Sequence, residues 1–177
     1  MGDIMPPELH FDPARLDLTH IVADSEAIRA VNPQRHEMEQ LSAIVHVDTE
    51  QGIIAGYKDV RPDEFWVRGH MPGDPLLPGV LMCEAAAQLV SFYIVKYTEL
   101  PTGSFIAFGG LEDVRFRAVV RVGDRLVLVG KAIKLHRRQS IFNIQGFVGS
   151  TMVFHAQVIG VPMTSPALPA PAVVEEV

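Results

Sequence analysis

From Arg68 to Tyr97 the chain reads RGHMPGDPLLPGVLMCEAAAQLVSFYIVKY, and the two halves of this stretch decide the fold. Gly69 to Pro78 holds three prolines and two glycines in ten residues, which predicts an ordered turn and forbids helix. Gly79 to Lys96 has no Gly or Pro after its first residue and is rich in Ala, Leu and Met. That composition predicts a helix of about five turns, with Pro78 suited to its start. The helix is apolar nearly all round, so it is buried in protein or in a membrane. Its polar residues before Lys96 are Glu84, Gln88 and Ser91, at i, i+4 and i+7, a narrow stripe on one face. A carboxylate there is costly to bury, so Glu84 is either paired or used in chemistry.

A chain of 177 residues suits one domain with a sizeable core. The net charge of −6 argues against general nucleic-acid binding. Charge is uneven: residues 1–64 carry 13 acidic and 5 basic side chains, whereas residues 115–138 carry 8 basic and 1 acidic. A basic surface on an acidic protein suits an acidic partner or an anionic ligand, although solvated strand faces give the same pattern. The single cysteine, Cys83, excludes a disulfide framework, reads as a small core residue and makes a cytoplasmic location the default. MGDIMPPELHFDP lacks the basic and apolar regions of a signal peptide. The central helix is barely long enough to span a bilayer and carries Glu84 and Gln88, so it reads as core, with no membrane partner.

Residues 1–23 read as an irregular arm, and the Pro/Ala-rich residues 162–177 as a disordered tail. Asp24-Ser25 caps a short helix that Asn32-Pro33 stops. His36-Glu37 is followed by Gln40, where a metal-binding helix would need a second His, so no metal site is expected. Residues 43–48 and 52–60 read as paired strands, and 65–67 as a short third. After the helix come four strand-like runs, 104–118, 124–136, 139–148 and 151–161, expected as a meander. In the second run Arg125, Val127 and Val129 alternate with Leu126, Leu128 and Gly130, so neither face is purely polar. A helix apolar on all sides needs a sheet that wraps it, or a second protomer. The fold class is therefore α+β with one central helix.

His70 sits in the turn just before the helix start, and imidazole can act as a base near neutrality. Glu84 lies about 7–8 Å along the helix axis from Gly79. Between them are the free amides and positive end of the helix, which could polarise a carbonyl. A base, an acid and an oxyanion site suit elimination of water beta to a thioester. A loop His is commonly structural and a buried Glu commonly paired, so the residue chemistry leaves both readings open.

Gly69-His70-Met71-Pro72-Gly73-Asp74-Pro75, Leu77-Pro78-Gly79-Val80-Leu81, Glu84-Ala85 and Ala87-Gln88 together resemble the signature of FabZ-type 3-hydroxyacyl-(acyl carrier protein) dehydratases. Gly110, Arg115-Phe116 and Gly123-Asp124 extend the likeness, which covers residues 24–161. The resemblance implies a hotdog fold, in which an antiparallel sheet wraps a central helix. It implies a homodimer, or a trimer of dimers, whose sites pair His70 of one protomer with Glu84 of the other. It implies that His70 takes the proton next to the thioester, that Glu84 protonates the departing hydroxyl, that Gln88 helps hold it, and that the Gly79 amide binds the thioester oxygen. The product would be the trans-2-enoyl thioester of fatty-acid biosynthesis, made without cofactor or metal. The partner implied is acyl carrier protein, with Arg115, Arg117, Arg121 and Arg125 as its docking candidates.

The chain departs from the family at Met71, where an aromatic is usual, and at Val122, where Pro is usual. It departs most at Gln34–Met38, the counterpart of a Pro-His-Arg-Tyr-Pro-Phe-type segment that gates the acyl tunnel, where only Pro33 and Arg35 match. Asp74-Pro75 resembles the isomerising FabA-type branch, but that branch has Asp where this chain has Glu84. Phe105, Phe108 and Phe116 are candidates for the tunnel lining. A hotdog thioesterase using Glu84, and a non-catalytic acyl-binding protein, are the alternatives.

Overall fold

A computed structural model describes residues 8–165. In chain order the elements are β1 (Ala23–Asp24), α1 (Ser25–Val31), β2 (Ala43–Asp48), β3 (Ile53–Asp59), α2 (Gly79–Tyr97), β4 (Ser104–Phe116), β5 (Arg125–Lys134), β6 (Ser140–Val148) and β7 (Thr151–Thr164). The Asp24 carboxylate accepts from the Ala27 amide, which is the cap its sequence predicts for α1. The seven strands form one antiparallel sheet in the order β1-β2-β3-β5-β6-β7-β4.

All of the longer strands place core residues against α2. Ile44, Ile54, Leu126, Leu128, Phe142, Ile144, Ile106, Phe154 and Val158 join Leu81, Ala85, Leu89, Val90 and Phe92 in one buried cluster. This is the hotdog arrangement, and it accounts for a helix without a wide polar face. The sheet comes closest at two glycines. A β-carbon on Gly56 would lie 2.6 Å from the Ala43 carbonyl and 3.1 Å from Leu89 Cδ1. One on Gly160 would lie 2.8 Å from Ile106 Cγ2 and 3.1 Å from Ile94 Cδ1. Cys83 is buried in the same core, and burial pushes its thiol up, away from thiolate.

The outer face of β2, β3 and β5 is apolar too. Ala43, Val45, Ile53, Ala55, Tyr57, Val127 and Val129 form a second cluster, covered by Phe11, Leu16 and Leu18 of the N-terminal arm. Buried Gln145 fastens the arm: its Oε1 accepts from the His10 amide at 3.0 Å and its Nε2 donates to the Glu8 carbonyl at 2.8 Å. That explains the mixed alternation of β5. Leu126 and Leu128 face α2, while Val127 and Val129 face the arm.

Three expectations need correction. Residues 65–67 form turns instead of a strand, because the Glu64 carboxylate gathers the Trp66 indole N–H, the Lys58 ammonium and the Arg61 amide. The four later strands are not a meander: β5 pairs with β3, and β4 crosses to the far edge, on β7. Finally, β7 runs to Thr164, three residues past the expected boundary at Val161, and pairs there with Ser104. Residues 1–7 of the arm and 166–177 of the tail lie outside the described residues.

Two histidines couple this packing to pH. His10 is lowered from 6.5 by burial, then by Lys131, with Glu8 opposing. His155 is lowered from 6.5 by burial, then by Arg117, with Asp113 opposing and Arg115 adding to the lowering. A lowered histidine binds fewer protons folded than unfolded, so stability falls as pH drops below 6.5 and toward the folded-state values. Urea unfolding between about pH 7.5 and about pH 5.5 should show that loss, and His10→Gln with His155→Gln should flatten it.

Candidate active site

The turn before α2 is held by its own backbone and by the loop that follows β4. The Leu76 amide donates to the His70 carbonyl at 2.9 Å, and the Leu77 amide to the Val120 carbonyl at 2.8 Å. Arg121 forms an ion pair with Asp74 and a bridge with Leu76. The imidazole is fixed in the same way: His70 Nδ1 lies 2.8 Å from the Leu76 carbonyl oxygen. A carbonyl only accepts, so Nδ1 carries a ring proton, and in the neutral ring Nε2 is the nitrogen with the free lone pair.

Pro78 gives α2 no side-chain cap. The Leu81 and Met82 amides turn back to the Pro78 carbonyl, while those of Gly79 and Val80 meet no acceptor among the described residues. A β-carbon at Gly79 would stand 2.7 Å from Phe116 Cζ, so glycine lets that ring close over the helix start. Phe116 in turn stacks on Phe154, with centroids 5.7 Å apart. Val80 in this first turn is 73% exposed.

Farther along α2, Glu84 and Gln88 face the segment after α1. Gln88 Nε2 donates to Glu84 Oε1 at 2.8 Å and to the Met38 carbonyl at 2.6 Å. Its Oε1 accepts from the Gln40 amide at 2.9 Å, and its main-chain carbonyl accepts from Asn32 Nδ2 at 2.9 Å. A fourth side chain reaches this group: Gln34 Nε2 approaches Glu84 Oε1 at 3.4 Å. Both amides therefore address one carboxylate oxygen and leave Oε2 available. Glu84 opens into a narrow cleft walled by Ala87, Val90, Ile106, Phe108 and Val158, with Ser91 deeper along the helix.

The structure thus brings Glu84 and Gln88 together, and sets His70 and Gly79 around the turn at the helix start. His70 does not line the Glu84 cleft, and no hydrogen bond or ion pair joins the two among the described residues. Of the aromatic candidates, Phe108 lines the cleft and Phe116 covers Gly79, while Phe105 does neither. The basic run is largely paired within the chain. Arg125 grips Asp59 and lies over Tyr57, Arg121 holds Asp74, and Arg115 stands 3.7 Å from Asp113. Arg117 donates to His155 Nδ1 at 3.1 Å. Sequence reasoning did not single out Gln34; its only signal was its place in the segment that departs most from the family.

Residues 32–157 match the family model described as FabA-like domain. Two curated relatives are named 3-hydroxyacyl-[acyl-carrier-protein] dehydratase FabZ. That of Coxiella burnetii is 34% identical over 112 residues, 62% of this chain and 78% of the relative. That of Moorella thermoacetica is 32% identical over 136 residues, 77% and 94% of the two chains. Among solved structures, the dehydratase heterocomplex ApeI:P from Xenorhabdus doucetiae superposes with a TM-score of 0.64 at 14% identity, covering 78% of this chain and 91% of that one. Cj0977, a sigma28-regulated virulence protein from Campylobacter jejuni, gives 0.59 at 18% identity, covering 81% and 95%. At these identities the two structures speak for the fold alone.

Gln88 is the joint between α2 and the segment after α1. Gln88→Leu strands the Gln40 amide and the Met38 carbonyl, so it should cost about 2–4 kcal/mol. Hydrogen exchange should quicken at the Gln40 amide well before it does in β5, and urea unfolding would give the cost.

Proposed function

We propose a reaction for this chain on one premise: it belongs to the FabA-like family, among its FabZ-type hotdog dehydratases. The reaction is elimination of water from a 3-hydroxyacyl thioester on acyl carrier protein, giving the trans-2-enoyl thioester in fatty-acid biosynthesis. His70 Nε2, left with its lone pair by the Nδ1 contact to Leu76, takes a proton from the carbon beside the thioester. The Gly79 amide donates to the thioester oxygen as negative charge builds there. The carbon–oxygen bond at the third carbon breaks, and Glu84 gives its proton to the departing hydroxyl, which leaves as water. Gln88 acts through Glu84, since its two N–H groups are already committed to Glu84 and Met38. The scheme uses no cofactor and no metal.

The observation that carries this reading is the split arrangement of one chain. Its base and oxyanion site lie around the turn at the helix start, and its acid opens into a cleft that His70 does not line. A second copy, with His70 of one protomer facing Glu84 of the other, would complete two sites at once. The exposure of Val80 and Phe116 beside the helix start supports such a cover. The acidic carrier finds Arg115 and Arg117 as the remaining docking candidates of the basic run, because Arg121 and Arg125 already hold Asp74 and Asp59 in close ion pairs. The enzyme is then a homodimer, or a trimer of dimers, in the cytoplasm. Among the described residues, the one helix long and apolar enough to cross a membrane is α2, which is largely buried as the core helix.

Hydration of a short enoyl thioester, followed by loss of its ultraviolet absorbance, tests the reaction. His70→Ala and Glu84→Gln should each lower the rate by about 10²–10⁴-fold. Dissociating and mixing the two inactive variants should then restore activity up to about a quarter of wild type, since half the dimers are mixed and each mixed dimer rebuilds one site. No recovery on mixing would place both residues in one protomer's site. Release of free thiol without enoyl turnover would make the chain a thioesterase.

A further inference from the structure

Two neutral amides converge on Glu84, and both meet the same oxygen. Gln88 Nε2 donates to Glu84 Oε1 at 2.8 Å from within α2, and Gln34 Nε2 approaches the same atom at 3.4 Å from the segment after α1. Gln34 comes from 50 residues away along the chain, so its segment has to be held in place. Arg35 holds it: its Nη1 donates to the Asn32 carbonyl at 2.8 Å and to the Gln34 carbonyl at 2.6 Å. The Asn32 side chain is in turn fastened to the Gln88 carbonyl. Glu84 Oε2 meets no donor among the described residues. It is not one of the buried side-chain atoms left without a partner either, so it keeps accessible surface. The other described residues that line the Glu84 cleft carry no titratable side chain.

This asymmetry decides where an acid proton can sit. Each oxygen of a carboxylate has about two acceptor sites, and a proton occupies one of them. On Oε1 the proton would displace one of the two amides and leave its N–H short of a partner. On Oε2 it displaces nothing. With Gln88 alone, Oε1 keeps a free site, and the proton divides between the two oxygens. We infer that Gln34 is a positioning residue of the elimination, acting with Gln88 to place the acid proton of Glu84 on Oε2. This rests on the dehydration proposed above. The proton passes from Oε2 to the departing hydroxyl, whose oxygen keeps the electron pair of the broken carbon–oxygen bond and leaves as water. The carbon–hydrogen pair released at His70 becomes the double bond. The negative charge left on Glu84 is met at Oε1 by both amides, whose hydrogen bonds favour the ionised form. The competing role for Gln34 is steric, a side chain whose bulk limits the acyl chain.

The test uses two variants without the donor: Gln34→Met, which keeps the length of the side chain, and Gln34→Ala, which does not. Dehydration of 3-hydroxyacyl pantetheine thioesters of increasing chain length is followed across pH as gain of enoyl absorbance. Both variants should lower the plateau kcat by roughly three- to tenfold, the worth of one neutral hydrogen bond, with KM little changed. Both should move the alkaline limb of the profile to higher pH, because a donor to the ionised carboxylate has gone. If kcat holds, and only Gln34→Ala changes KM or chain-length preference, the role is steric and the inference falls. Carbon-13 titration of the Glu84 carboxyl repeats the comparison without turnover, and its midpoint should rise in both variants. Turnover by wild type, with kcat and midpoint both unchanged in Gln34→Met, overturns this inference alone. A raised midpoint in a chain that dehydrates no thioester overturns the proposed reaction and leaves the hold of Gln34 on the Glu84 proton standing.

Discussion

Gln88 is the side chain on which the site depends. A carboxamide in the middle of a core helix is tolerated only if its polar atoms find partners, and here both N–H groups and the oxygen do. Its oxygen takes the Gln40 amide, and its two N–H groups go to Met38 and Glu84. The main-chain carbonyl of the same residue receives Asn32. One residue thus ties the end of α1 and the segment up to Gln40 against α2, and turns Glu84 by one oxygen. The buried side-chain atoms without a partner among the described residues lie around this centre instead of in it: Asn32 Oδ1, Gln34 Oε1, Gln40 Oε1 and Ser91 Oγ. Of these, Gln34 and Ser91 line the cleft that Glu84 opens into.

The sheet serves two neighbours, which is why its strands carry apolar residues on both faces. The inner face packs on α2, and the outer face of β2, β3 and β5 packs under Phe11, Leu16 and Leu18. The outer edge is managed differently. β4 has β7 on one side only, and it carries Glu112, Asp113 and Arg115 with register shifts at Phe108/Gly110 and Glu112/Arg115. Charge and bulges on an open edge discourage indiscriminate pairing.

Much of this was legible because it is local. The Pro/Gly turn, the abrupt helix start at Gly79 and the Glu84–Gln88–Ser91 stripe are all set by residues within a few turns of one another. The sheet's order was not legible in the same way. Strand patterning says which residues alternate, not which strand lies beside which, so β4 read as the start of a meander although it pairs with β7 about 50 residues on. Gln34 escaped for a related reason. Its contact with Glu84 spans 50 residues, and nothing in Pro33-Gln34-Arg35 points at a carboxylate. The mixed faces of β5 were visible, but their cause lay in an arm that reads as irregular by itself.

The Gln34–Met38 segment meets the cleft at Glu84. Where relatives of the FabZ type are expected to gate an acyl tunnel, this chain has an amide that reaches Glu84 and a backbone held by Gln88. Two turns along α2 it has a buried hydroxyl in an otherwise apolar wall. Neither change touches the turn that carries His70 or the amides at Gly79. The first turn of α2 is set by backbone, Pro78 and Phe116, and its middle, Glu84 included, by side chains facing the cleft. A change in the Gln34–Met38 segment can therefore leave the turn and the Gly79 amides where they are, but it reaches Glu84 through Gln34 and Gln88.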